Sequence, residues 1–370
     1  MENFEIIEEQ GSHEQVLFCY NKDVGLRAII AIHNTALGPA LGGTRMWNYA
    51  SDKEALIDVL RLSRGMTYKA AAAGLNLGGG KAVIIGDPRK QKTEALFRCF
   101  GQYVNSLNGR YITAEDVGTS VSDMEHVYAE TPWVTGIPED LGGSGDPSPF
   151  TAHGVLMGIK ASVSKKLGTD SLKGLRVLVQ GLGNVGLNLV SYLHKEKAVI
   201  TVSDIDIDKV KRTEEQFGVK SVAPDDIVAQ EAEVFAPCAL GSVINDQTID
   251  KLKVKIVAGG ANNQLAEDRH GGLLKEMGIL YAPDFVINAG GLMNVFVELE
   301  GYSKERAKAH TLKIYDNVMN CLDISEKENI PTQTAAYRLA ERRIEVIGRL
   351  KQKHSGLAQR VFGSLKVDGR

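Results

Sequence analysis

The sequence predicts an α/β protein of two domains. The first is an N-terminal α/β domain over residues 1–145. The second, over 146–330, is a doubly wound parallel sheet, and a last helix over about 331–370 packs back on the first domain. Three observations carry this expectation. The 370 residues give room for two domains of ordinary size. The stretch GIPEDLGGSGDPSPF, residues 136–150, turns abruptly to glycine, proline, serine and aspartate, the composition of a boundary. From Gly174 onward, short apolar runs (LRVLVQ, AVITVSD, VFAPC, KIVAGG, LYAPDFVI) alternate with helical patterns, as in a parallel sheet wound with helices on both faces.

In the first domain, GLRAIIAIHN has the β-branched content of a buried strand. SDKEALIDVLRLSRGM opens with the Ser51/Glu54 pair of a capping box and places Leu56, Val59 and Leu60 on one helical face. TEALFRCFGQYVNSLNG repeats that spacing with Leu96, Phe100, Tyr103 and Leu107, and RYIT reads as a short strand. After the boundary, TAHGVLMGIKASVSKKLG carries Val155, Ile159, Val163 and Leu167 at helical spacing, and the tail from Ser303 reads as two long helices.

Composition excludes several classes. A net charge of −3 without a basic block argues against nucleic-acid binding. Cys19, Cys99, Cys238 and Cys321 are scattered without a C-x-x-C pair, and the eight histidines form no metal motif, so reduced thiols and no metal are expected. The acidic N-terminus lacks the apolar core of a secretory signal. The uncharged run Val177–Leu193 contains polar residues and glycines that suit a strand and helix better than a membrane span. The expected location is the cytoplasm, with no membrane partner.

VLVQGLGNVGLNLVSYLHKEKAVITVSD holds Gly181-x-Gly183-x-x-Gly186 between a strand and a helix, and Asp204 ends the next strand 18 residues past Gly186. Gly181 permits the tight turn, Gly183 lets the backbone approach a pyrophosphate, and Gly186 lets helix and strand pack closely. The turn residues Asn184 and Val185 start a helix whose N–H groups face the phosphates. With strand, helix and acid all in place, this reads as a Rossmann-type dinucleotide site rather than a strand–turn–helix whose glycines serve packing alone. An acid at 204 accepts hydrogen bonds from ribose hydroxyls and repels a 2′-phosphate, which favours NAD over NADP. Lys209 and Arg212, close by, could soften that choice or simply line a solvated helix face.

A second glycine run, GLNLGGGKAVII, leads into Lys81. It fails as a P-loop, because Leu75 and Ala82 stand where glycine and a hydroxyl are needed. Lys69 precedes it in GMTYKAAAAGL, and Asp116 follows in YITAEDVGT at the end of a short strand. Two lysines and a carboxylate near an alanine-rich stretch suit a small acidic substrate in a dry site, where burial and a second cation let a lysine exchange protons near neutrality. The glycines would then let substrate reach Lys81. By spacing alone, a surface position for Lys69 and a helix N-cap role for Asp116 stand beside that reading.

These stretches, together with GPALGGTRMW, GDPSPFTAHGV, FAPCALG, NDQTI and YAPDFVINAGGL, resemble the superfamily of glutamate, leucine, valine and phenylalanine dehydrogenases along nearly the whole chain. The resemblance implies an NAD-dependent, reversible oxidative deamination of an L-amino acid to a 2-oxo acid and ammonia, in a cleft between the two domains. It implies that Lys69 binds the substrate carboxylate, Lys81 is the catalytic lysine, and Asp116 relays the proton. It places Gly42 and Gly43 beside the substrate, Asn288 near it, and Leu41, Ala114 and Leu292 around its side chain. Thr151, Cys238, Ala239 and Asn262 would approach the cofactor.

The apolar Leu41 stands where glutamate-acting members carry a lysine, so branched-chain substrates (leucine, valine, isoleucine) are expected. Phenylalanine is the nearest alternative, and a non-catalytic NAD-binding regulator is an alternative of another class. The resemblance also implies a homo-oligomer, often an octamer.

Overall fold

The computed structural model describes residues 2–239 and 241–353, and anything expected of 354–370 lies outside them. The chain divides into two compact units: Met1–Asp146 with Val295–Ser303 and Ala340–Arg370, and Pro147–Asn294 with Lys304–Leu339.

The first unit contains α1 (Glu2–Glu9), β1 (Gln15–Asn21), β2 (Leu26–Asn34), β3 (Ala40–Leu41), β4 (Thr44–Trp47), α2 (Asp52–Ala72), β5 (Gly78–Ile85), α3 (Glu94–Ser106), β6 (Tyr111–Ile112) and α4 (Val121–Tyr128). Its mixed sheet runs β1-β2-β5-β3-β6, with β4 also paired to β5. Strand alternation sends side chains to two different helices. Ile29, Ala31 and Val83 pack with Leu56, Val59 and Leu60 of α2, while Ile30, Ile32, Ala82 and Ile84 pack with Phe97, Phe100 and Val104 of α3. The Ser51 hydroxyl caps α2 by accepting the Glu54 N–H. The expected reciprocal half of the box differs: the Glu54 carboxylate accepts from Ala50 N–H.

The glycine run serves packing rather than access to Lys81. A Cβ at Gly79 would lie 2.1 Å from the Thr67 backbone nitrogen and one at Gly80 would lie 2.7 Å from the Tyr111 ring. β5 is the crowded centre of the sheet, with α2 pressed on one face and an aromatic ring on the other. The glycines let these neighbours reach the strand backbone.

The second unit contains α5 (Ser148–Leu167), β7 (Arg176–Gln180), α6 (Asn184–Lys195), β8 (Val199–Ser203), α7 (Ile207–Phe217), β9 (Lys220–Ser221), β10 (Glu231–Pro237), β11 (Lys253–Val257), α8 (Arg269–Glu276), β12 (Leu280–Tyr281), α9 (Asp284–Ile287) and α11 (Lys304–Glu328). Two further helices, α10 (Gly290–Glu298) and α12 (Thr332–Lys353), hold residues of both units. All strand pairs here are parallel, in the order β12-β11-β10-β7-β8-β9. The order reverses between β7 and β10, the switch point at which open α/β sheets bind ligands beyond the strand ends. The α/β class and the doubly wound second sheet are as expected.

One strand is not as expected. LYAPDFVI is extended only at Leu280–Tyr281. Proline at 283 cannot donate to a ladder but suits a helix start, and Asp284–Ile287 coil into α9. The uncharged run Val177–Leu193 is split between β7 and α6, and no helix of the described residues is long and apolar enough to cross a membrane.

Candidate active site

The first unit assembles its charged cluster by strand register. Ala40 and Leu41 of β3 pair with Gly78 and Gly79, and Thr44–Trp47 of β4 pair with Ala82–Ile85, so the register is the same on either side of Gly42–Gly43. On the other edge, Leu41 pairs with Ile112, and Thr44 bridges Glu115 in that same register. Leu41, Gly43 and Arg45, then Gly79 and Lys81, then Ala114 and Asp116 therefore share one face of the sheet, the face toward α2.

On that face, Lys81 is 5% exposed and its ammonium lies 2.9 Å from Asp116 Oδ2. Arg45 Nε donates to the same oxygen at 3.1 Å. Burial works to raise the Asp116 carboxyl. The Lys81 and Arg45 cations outweigh it and hold the pKa below the ordinary aspartate value. Asp116 is a carboxylate at neutral pH, with its Oδ1 left for a further donor. It does not cap a helix: the N-cap of α4 is Ser120, whose hydroxyl forms the capping box with Asp123.

The neighbours are close and mostly apolar. A Cβ at Gly43 would sit 2.9 Å from Asp116 Cβ, and one at Gly42 would strike the Gly80 carbonyl. Leu41 and Ala114 are buried. Lys69 lies in the last turn of α2, half-buried. Arg45 is the residue sequence reasoning passed over. The signal was present in GGTR, where position 45 follows 43 and 41 in strand alternation.

The second unit gathers the other expected residues around the switch point. Gly181 has φ +95°, and its Cβ would meet the Ala239 backbone at 2.7 Å. A Cβ at Gly186 would meet the Gly181 carbonyl at 1.9 Å, whereas one at Gly183 would meet nothing within 4 Å. Space is thus left only above the middle glycine. Asn184 and Val185 begin α6, whose N-terminus at Gly183 receives no side-chain cap. Its N–H groups and helix dipole are available to an anion.

Asp204 Oδ2 accepts the Leu182 N–H at 2.5 Å and Oδ1 accepts the Asp206 N–H at 2.8 Å, which ties the end of β8 to the glycine turn. Each oxygen keeps a further lone pair. Asn288 Nδ2 donates to Asn262 Oδ1 at 2.7 Å and to the Gly260 carbonyl, while the buried Asn288 Oδ1 has no partner. The Thr151 hydroxyl, in α5, donates to the Pro147 carbonyl. Burial pushes the Cys238 thiol up to about 11, so it is protonated at neutral pH and is not a nucleophile. Leu292 is buried in α10.

Two family models cover the chain. Residues 13–133 match the Glu/Leu/Phe/Val dehydrogenase dimerisation domain, and residues 142–349 match the glutamate/leucine/phenylalanine/valine dehydrogenase model. The chain belongs to this dehydrogenase family. It is therefore an amino-acid dehydrogenase, working with a nicotinamide cofactor.

Among relatives of this dehydrogenase, the leucine dehydrogenase of Geobacillus stearothermophilus is 59% identical, with 94% of each chain covered. That of Bacillus subtilis (strain 168) is 56% identical over 97% of this chain and all of the other. A phenylalanine dehydrogenase of Caldalkalibacillus thermarum is lower, at 51% over 91% of this chain and 93% of the other. The solved L-tryptophan dehydrogenase of Nostoc punctiforme superposes with a TM-score of 0.83 at 46% identity, covering 94% of this chain and 99% of that one.

The anion cradle over Gly183, the orphaned Asn288 Oδ1 and the free lone pairs of Asp204 together suit a dinucleotide carrying a pyrophosphate, an amide and ribose hydroxyls.

Proposed function

We propose that the protein catalyses the NAD-dependent, reversible oxidative deamination of branched-chain L-amino acids, L-leucine foremost with valine and isoleucine, to 2-oxo acids and ammonia. The observation that carries this is the ion pair of Lys81 with Asp116, which leaves one carboxylate oxygen free on the sheet face that also holds Leu41, Gly43 and Ala114.

In this reading Lys69 holds the substrate carboxylate through a charge-assisted bond. Asp116 takes the proton from the amino group at Oδ1. Lys81 activates the water that attacks the substrate Cα once it has become an imine carbon, and Asp116 returns its proton to the amino group so that ammonia can leave. Gly42 and Gly43 give the substrate backbone-level approach, and Asn288 helps to orient it. The cofactor, when bound, supplies the hydride acceptor at its nicotinamide ring. Gly181, Gly183, Asn184, Val185 and Gly186 hold its pyrophosphate, Asp204 its ribose, and Thr151, Cys238, Ala239 and Asn262 its remaining contacts. Asp204 selects NAD, since a 2′-phosphate would meet a carboxylate already fixed by two backbone N–H groups.

Residues 1–145 then form the substrate domain and 146–330 the cofactor domain. Leu41, Ala114 and Leu292 surround the substrate side chain. None can pair a carboxylate, so glutamate is penalised, and the bulk of Leu292 tilts preference toward smaller side chains. Assembly as a homo-oligomer, an octamer by resemblance, agrees with the edge strand β1, which exposes Phe18 and Tyr20. The four free cysteines suit the cytoplasm.

The test is NADH formation with L-leucine, L-valine, L-isoleucine, L-phenylalanine and L-glutamate, each with NAD and with NADP. The expected order of kcat/KM puts the three aliphatics first, within about 10- to 200-fold of one another. A clear preference for phenylalanine overturns the substrate assignment.

A further inference from the structure

Asp116 is held by two cations, and only one of them belongs to the proposed chemistry. Arg45, on β4, stands between two aspartates. Its Nε donates to Asp116 Oδ2 at 3.1 Å and its Nη1 to Asp58 Oδ2 at 2.8 Å. Asp58, on α2, also accepts from the Tyr49 hydroxyl at 2.7 Å and from Arg61 at 2.9 Å. The guanidinium is planar, so anchoring one edge on Asp58 fixes the direction of the other.

Arg45 and Lys81 approach the same Asp116 oxygen. Together they turn the carboxylate so that Oδ1 is the atom left for substrate. The groups facing Asp116 on its side of the sheet are Lys81 from β5 and Arg45 from β4, while Tyr111 of β6 and Glu115 of its own loop alternate to the opposite face. Among the described residues, Lys81 and Arg45 are the cations that stabilise the Asp116 charge.

We propose that Arg45 is a positioning residue: it orients Asp116 and keeps it ionised for proton transfer, through a fork anchored on Asp58, without touching substrate. This rests on the deamination reading above and adds to it a residue whose substitution changes kcat and its pH dependence rather than substrate affinity. Removing the cation lets burial raise the Asp116 pKa. The acidic limb of the kcat profile, where Asp116 must lose its proton to act as base, then moves to higher pH.

The test compares Arg45→Met, Arg45→Lys and Asp58→Asn with the unaltered enzyme in leucine deamination. Arg45→Met is expected to lower kcat roughly 10- to 100-fold with little change in KM for leucine or NAD. Its acidic limb should move up by about one pH unit. Arg45→Lys, which keeps the charge but not the fork, should restore most of the limb and only part of kcat. Asp58→Asn should lower Tm while leaving the limb in place.

If Arg45→Met loses Tm and kcat together with an unmoved limb, Arg45 merely staples β4 to α2 and the proposal is overturned. A large rise in KM for leucine with unchanged kcat overturns it in favour of direct substrate contact. Should Arg45→Met not fold, Arg45→Lys decides: unchanged kcat overturns the proposal, and a lowered kcat at unchanged KM supports it. An infrared titration of the Asp116 carboxyl, identified by subtraction against Asp116→Asn, reads the same shift without turnover. A failure of the deamination reading therefore remains distinguishable from a failure of this one.

Discussion

The first unit handles charge with side chains and the second with backbone. Around Asp116, two cations from neighbouring strands converge on one carboxylate oxygen. Around Gly183, the positive potential comes from uncapped N–H groups at the start of α6, and the nearest acid, Asp204, is itself held by two backbone N–H groups. A side-chain cluster can be tuned and proton-active, and one substitution undoes it. A backbone cradle carries no titratable group. It fails mainly where a new Cβ fills the space it keeps clear or displaces the turn that shapes it.

The largest expected effect tests the first half of that contrast. Lys81→Ala should lower deamination by about 100- to 10,000-fold while leaving NAD affinity close to normal. It also leaves Arg45 as the remaining cation on Asp116, so the expected stability loss at neutral pH stays below the cost of a wholly unpaired buried charge, about 3–5 kcal/mol. Thermal unfolding with and without NAD separates the two losses. Near-normal kcat would remove Lys81 from the mechanism.

A smaller effect sharpens the second half through paired glycines. Gly186→Ala puts a Cβ 1.9 Å from the Gly181 carbonyl and should lower both Tm and cofactor affinity. Gly183→Ala meets no protein atom within 4 Å and should leave Tm alone while weakening the cofactor. Equal Tm for the two variants would break the argument that the space above Gly183 belongs to a ligand.

The smallest effect concerns cofactor choice. Asp204→Ser should raise the NADP/NAD ratio of kcat/KM, measured at fixed leucine, with modest loss of NAD affinity. It also removes the tether to Leu182 N–H. A ratio that stays put would direct attention to Lys209 or Arg212.

The two regions were not equally legible in the sequence. The proposed cofactor turn is contiguous: strand, glycines, helix and acid fall within one stretch, and Gly181 and Gly186 have conformational and steric reasons that spacing conveys. The overreach at LYAPDFVI came from reading apolar content as a strand past Pro283, which ends it. The proposed substrate cluster is dispersed over residues 41–116. Its lysines and aspartate stood out as residue types, but the tie between Lys81 and Asp116 depends on three strands sharing one register.

By itself, the sequence determined what is local: the alternation that makes the second sheet parallel, the glycine turn between β7 and α6, and the residue types that resemblance could place in a dehydrogenase. Tertiary structure alone decided which side chains meet. It showed that Gly79 and Gly80 answer to α2 and the Tyr111 ring, and Gly78 to the backbone at Asn34 and Gly38, because a central strand is pressed on both faces and only its neighbours fix the space a Cβ may take. It brought Arg45 to Asp116 and Asp58, because strand register turns a separation of 71 residues into a contact of 3.1 Å and the packing of α2 on the sheet turns one of 13 residues into a contact of 2.8 Å.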